Sequence, residues 1–152
     1  MTTQNSLTTR KITRTRERDN FIPSKIGSTI FVFWRQIFNV AEKISADDFQ
    51  VLEASSGMAA IWESVEVSNG AFYVVPDVEQ SSFLCACENY FEGELSKDAF
   101  GIVVTLYALN QLSWALEKYP NWQKRYIEFY YSLRDYALDC HPERINIARA
   151  ID

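Results

Sequence analysis

The chain has 152 residues and a formal net charge of −5, with 47% hydrophobic and 14% aromatic residues. That length and apolar share support one domain with a buried core and exclude a disordered or low-complexity body. Charge is uneven: residues 1–18 carry a net of +4 and residues 19–152 a net of −9, so the body repels nucleic-acid phosphate and only the first segment attracts it.

Residues 1–18, with Arg10, Lys11, Arg14, Arg16 and Arg18, read as a disordered basic arm, and 19–152 as a single domain. Met1 to Asn20 lacks the apolar centre of a secretory signal. Ile30 to Trp34 falls far short of the ~20 residues that a membrane span needs. The three cysteines, an odd number, argue against a disulfide framework and fit a reducing cytoplasm.

Phe21-Ile22-Pro23 reads as an extended entry segment, because the residue before a proline is pushed out of the helical region. A helix is expected over about 28–44, where Ile30, Phe33, Trp34, Ile37, Val40, Ala41 and Ile44 form an apolar stripe. Residues 45–58 read as a connection with room for a short helical turn. From Ala60 the pattern shifts toward period two, and Ser68-Asn69-Gly70 supplies the Asn-Gly pair of a two-residue hairpin turn before Phe72 to Val75 returns. A second pair, Phe83 to Cys87 and Tyr90 to Leu95, turns at Glu88-Asn89. Together these predict a four-stranded antiparallel meander over about 60–95.

From Ala99 to Leu109 no side chain is charged, so this segment offers water no polar face. Its i+3 and i+4 apolar spacing continues to Leu116, and length favours a buried central helix over about 96–117. Ser96 is a natural N-cap there, and Asp98 sits beside the positive end of the dipole. An aromatic-rich amphipathic helix is expected over about 120–140. Pro142 at a first helical position then starts a last one over about 142–150. The expected class is α+β, the meander packed by the central helix and flanked by the others.

The chemistry in this sequence is sparse. Cys85, Cys87, Cys140 and His141 are the only constellation with soft metal-ligand types, and the spacing is poor for zinc; buried small hydrophobes is the better reading, and no metal or cofactor is expected. One histidine could serve Cys140 or Ser96 as a base, but no elbow or catalytic cysteine signature accompanies it. No G-x-x-x-x-G-K-[ST] or G-x-G-x-x-G loop occurs. That leaves polar groups at helix starts and ends, namely Ser96, Asp98, Glu143 and Asp152, for which capping is the plain reading.

Glu94-Leu95-Ser96-Lys97-Asp98-Ala99, with Gly101-Ile102-Val103 and Thr105 to Leu112 after it, closely resembles the central motif of the ArdB/KlcA-type antirestriction protein family. Asn20-Phe21-Ile22-Pro23, Ser68 to Pro76, Tyr131 to Ala137, His141-Pro142-Glu143 and Arg149-Ala150-Ile151-Asp152 resemble further segments of that family in the same order. The resemblance implies a non-enzymatic factor of mobile DNA that blunts type I restriction–modification enzymes in a bacterial cytoplasm. It also implies that Ser96, Asp98, Glu143 and Asp152 are tied to inhibition. The chain departs from the pattern at Ala71, at Phe100 and in a longer stretch between the first helix and the hairpin. Nineteen acids diluted by ten bases beyond residue 18 fall short of the one charge per ~1.7 Å of duplex axis that a DNA mimic requires, which favours a specific protein contact without strong DNA binding. The rival is a DNA-binding accessory protein that uses the Arg10–Arg18 cluster. Neither the residues nor the resemblance sets an oligomeric state.

Overall fold

The computed structural model describes residues 7–12, 29–44 and 62–152. In chain order the elements are β1 (Thr9–Ile12), α1 (Thr29–Ile44), β2 (Trp62–Val67), β3 (Phe72–Pro76), β4 (Ser82–Ala86), β5 (Glu92–Ser96), α2 (Lys97–Ala115), α3 (Pro120–Asp139) and α4 (Arg144–Ile151). The class is α+β, as the sequence led one to expect. The connection at 45–58 and the entry segment Phe21-Ile22-Pro23 lie outside the described residues.

Helix α2 is the core of the molecule. Ala99 to Leu106, Ala108, Leu109, Leu112 and Ser113 are all buried, because α1, α3, α4 and strands β3 to β5 all pack on it. Ser96 caps it in extended geometry, its Oγ accepting from Ala99 N at 3.1 Å.

The strands do not form the expected four-stranded meander. β2 and β3 pair antiparallel, β1 adds to the other edge of β2, and β4 with β5 form a separate two-stranded sheet. The reason lies at the outer edge of β3. There the Val74 N–H donates to Thr105 Oγ1 at 3.1 Å, and Thr105 Oγ1 donates in turn to Gly101 O at 2.7 Å. Helix α2 therefore seals the edge on which β4 would have paired, and edge coverage of this kind satisfies main-chain groups without a further strand. The approach is so close that a Cβ on Gly101 would lie 2.0 Å from the Val74 carbonyl oxygen.

Residues 9–12 depart from the expectation of a disordered arm. They pair with Ser64 to Val67, Thr8 and Ser68 exchange two hydrogen bonds of 2.9 and 2.8 Å, and Arg10 Nε meets Glu66 Oε1 at 2.7 Å. A strand so short and basic has no period-two signature of its own, and its partner lies more than fifty residues away.

Both hairpins turn in three residues where two were expected. Val67 and Ala71 close the first around Ser68-Asn69-Gly70, and Cys87 and Phe91 close the second around Glu88-Asn89-Tyr90. Each needs a left-handed residue in the last loop position, Gly70 at φ +93° and Tyr90 at φ +71°. Among the described residues no helix is long and apolar enough to cross a membrane.

Candidate functional site

The junction of β5 and α2 brings together three of the four polar residues singled out from the sequence. Ser96 ends β5 and caps α2, and Asp98 lies in the first helical turn. Glu143 comes from the loop that joins α3 to α4. It stands at the N-cap position of α4, yet its side chain makes no capping bond there. Its carboxylate reaches the junction instead: Oε1 accepts from Ser96 N at 3.0 Å, and Oε2 accepts from the Ser96 hydroxyl. The reading of Glu143 as a first-turn acid of a helix starting at Pro142 is corrected accordingly, since α4 starts at Arg144. The Ser96 N–H that it satisfies is the last outward donor of β5, so one carboxylate closes both a strand edge and a helix start.

Asp98 is held from the other side. Tyr73 OH donates to its Oδ1 at 3.0 Å and His141 Nε2 donates to its Oδ2 at 2.8 Å. The direction of that second bond follows from the other ring nitrogen: Glu143 N–H donates to His141 Nδ1 at 3.0 Å, so Nδ1 carries the lone pair and Nε2 the proton. His141 is thus neutral and fully engaged, its side chain only 5% exposed, whereas that of Asp98 is 44% exposed. Burial, and then the charge of Asp98, push the Tyr73 hydroxyl well above its ordinary range. Tyr136 stacks on Tyr73 at 6.2 Å and meets the His141 ring edge-on at 6.2 Å.

The result is one connected polar network from four elements, with Tyr73 on β3, Ser96 and Asp98 at the junction, Tyr136 on α3, and His141 and Glu143 before α4. Its chemistry is that of positioning. Ser96 Oγ donates to a carboxylate and not to the histidine, and both imidazole nitrogens are taken, so the nucleophile–base pairing of covalent catalysis is not formed. Among the described residues no group of His, Cys, Asp and Glu is placed to hold a metal. Cys85 and Cys87 are buried, with Cys85 Sγ donating to Phe83 O at 3.6 Å.

Asp152 is elsewhere. It follows the far end of α4, a helix of eight residues and so ~12 Å long. Its main-chain oxygen accepts from Asn89 Nδ2 at 2.8 Å, and the same amide reaches the carbonyls of Arg149 and Ala150 at 2.9 and 3.0 Å. Tyr107 OH donates to Ala150 O at 2.6 Å. The orphan carbonyls that end α4 are thus tied to the tip of the second hairpin. A groove of about 290 Å³ between α2 and α3, lined by Asn110, Trp114, Ile127 and Tyr131 among others, includes none of the four residues.

Sequence reasoning missed Tyr73, Tyr136 and His141 as members of the network and Asn89 as the clamp on α4. The signal that could have flagged His141 is its place beside Pro142-Glu143 in a chain with one histidine.

A family model described as "Antirestriction protein" matches residues 56–152. Over its full length the chain is 32% identical to the antirestriction protein KlcA of Escherichia coli, covering all of both. It is 24% identical to the putative antirestriction protein YubI of Escherichia coli K12 over 90% of each chain. Among solved structures it superposes with a TM-score of 0.68 at 31% identity, covering 96% of this chain and 95% of the other, on one described as showing that KlcA and ArdB have a novel fold and act against type I DNA restriction systems in vivo but not in vitro.

Proposed function

Since this chain belongs to the antirestriction protein family, we propose that it protects incoming DNA by inhibiting type I restriction–modification enzymes through a specific protein contact, without catalysis. The observation that carries this reading is Asp98: a carboxylate 44% exposed at its side chain, yet fixed by Tyr73 and His141 at 3.0 and 2.8 Å. A rigid exposed acid loses little side-chain freedom on docking, which is how a preoriented group favours a specific partner. A DNA mimic needs many carboxylates free to stand in for phosphates, whereas Glu143 is turned inward onto Ser96. Asp98 and the Ser96–Glu143 pair form the contact surface in this reading, and Asp152 serves from a second place at the end of α4. The role is assigned to one domain, residues 19–152, to which β1 adds a strand.

Action in cells without action in purified mixtures, as described for KlcA and ArdB, supports a contact that needs a component or state of the restriction system found only in the cell. The rival DNA-binding reading loses support from β1, because Arg10 already faces Glu66 at 2.7 Å.

The test is plating efficiency of unmodified phage on cells with a type I system, with wild type, Asp98→Asn and Glu143→Gln, each checked for folding by its thermal midpoint. Protection by wild type that folded Asp98→Asn loses is the expected outcome. Protection kept by Asp98→Asn but lost on deleting residues 1–18 would favour the rival.

A further inference from the structure

His141 is the group in the polar network that is least able to touch a partner, because its side chain is only 5% exposed. Glu143 N–H donates to its Nδ1 at 3.0 Å, Nε2 lies 2.8 Å from Asp98 Oδ2, and Tyr136 meets the ring edge-on. The bond to Glu143 is built into the chain. It spans two residues, with Pro142 between them holding φ near the value its ring imposes. The Glu143 carboxylate ties the same loop to Ser96. The main chain therefore decides which imidazole nitrogen carries the proton, and that proton is directed at Asp98.

Helix capping does not call for this arrangement. The dipole of α2 favours a negative charge in the first turn whatever its rotamer, and Ser96 Oγ already accepts from Ala99 N at 3.1 Å. Among the described residues Asp98 accepts nothing from the main chain of its own helix; its two oxygens take the Tyr73 hydroxyl and the His141 ring. The last torsion of an aspartate is broad, so one donor leaves the plane of the carboxylate free to turn. A second donor, on the other oxygen, fixes it.

We infer that His141 is a positioning residue for inhibition: without touching the partner, its Nε2–H tautomer, selected by the Glu143 main chain, holds the Asp98 carboxylate in the orientation the partner meets. Glu143 then serves Asp98 through its N–H as well as through the carboxylate that pins the loop. This inference rests on the reading of Asp98 as a contact residue, and the experiment separates the two.

Asparagine and glutamine divide the two bonds of the imidazole. In His141→Asn the amide oxygen stands at the level of Nδ1 and still accepts from Glu143 N–H, but nothing reaches Asp98. In His141→Gln the amide nitrogen stands at the level of Nε2 and still donates to Asp98, but the bond to Glu143 is gone. Each variant drops one hydrogen bond, so both should lower the thermal midpoint by a similar amount, about 2–4 °C. Phage protection is expected to fall about tenfold or more in His141→Asn and to be largely rescued in His141→Gln. A histidine with only a structural role gives protection that follows the midpoint, so equal protection from the two variants, or the reverse order, overturns the inference. Asp98→Asn, plated alongside, tells which reading fails. If it loses protection and His141→Asn does not, the positioning role alone falls; if it keeps protection, the contact reading falls too. Because the chain has one histidine, a long-range proton–nitrogen NMR spectrum reads the tautomer directly at neutral pH, even where a histidine variant does not fold. The neutral Nε2–H form is expected in wild type and, because Glu143 sets it, in Asp98→Asn as well. An Nδ1–H or doubly protonated ring in either protein overturns the inference.

Discussion

Hairpin β2–β3 closes on Ser68-Asn69-Gly70 and hairpin β4–β5 on Glu88-Asn89-Tyr90. In each the asparagine Oδ1 accepts the N–H two residues on, at 3.0 Å from Ala71 and 3.1 Å from Phe91. Each asparagine also sends Nδ2 to a helix: Asn69 to Ser132 O of α3 at 2.9 Å, and Asn89 to the last carbonyls of α4. Beyond the turns they part. The first hairpin is walled in on both edges, by β1 on one side and by Thr105 and Gly101 of α2 on the other. The second ends in Ser96, whose outward N–H is met by a carboxylate from a distant loop, and its tip carries an exposed, strained tyrosine. The same local turn thus serves core architecture in one place and the presentation of surface groups in the other, and what decides between them is the element that occupies the strand edge.

The sharpest way to break the first hairpin is at its seal. Gly101→Ala places a methyl 2.0 Å from the Val74 oxygen, with Val74 C and Val75 Cα both at 3.0 Å. All three are backbone atoms, which cannot swing away, so β3 and α2 must separate. The Val74 N–H then loses Thr105 as well. Overpacking plus a lost buried hydrogen bond amounts to about 3–5 kcal/mol, enough to leave little folded protein, and urea unfolding measures it. A stable Gly101→Ala variant would show that the edge is not sealed as described.

A paired substitution compares the two clamps. Asn89→Ala removes the donor shared by Arg149, Ala150 and Asp152 as well as the acceptor for Phe91 N, and should cost about 2–3 kcal/mol. Asn69→Ala removes one contact to α3 and one to Ala71, at the surface, for about 1 kcal/mol. Amide exchange should quicken in α4 for the first variant and leave α4 unchanged for the second. Equal losses would mean that the turns, not the helix ties, carry the effect.

Much of this molecule was legible in sequence where local pattern and burial agree. Helix α2 was readable because a run without charge has no face for water, and Ser96 with Asp98 marked its start. The turns at Asn69 and Asn89 were placed to within a residue. What could not be read was anything settled by a distant partner. β1 looks like solvated basic chain until Glu66 is set opposite Arg10. The division into two sheets depends on Gly101 approaching Val74, and a glycine inside a helix gives no hint of which strand it admits. The site shows the same limit. Ser96, Asp98 and Glu143 were named from motifs that also suit capping, and only the reach of Glu143 across 47 positions makes them one cluster, while Asp152 stays apart.

Alkaline pH gives the mildest test, because it leaves neutral-pH stability untouched. Beside the second hairpin, burial pushes the Cys87 thiol from 9.0 up to about 11 and the Tyr107 hydroxyl from 10.0 up to about 12; at the first, Tyr73 is raised beyond that range. In each case the unfolded chain releases its proton first, so it binds fewer protons than the native state and stability falls as pH rises. The Cys87 contribution is fully present below pH 9 and is lost between about 9 and 11, whereas the tyrosines act only above 10. Cys87→Ala should therefore flatten the decline between pH 9 and 10 while leaving the steeper loss above it, as read from urea midpoints across that range. A decline that begins at pH 9 in the variant as well would assign the early titration to another group and remove the second hairpin as the more alkali-sensitive of the two.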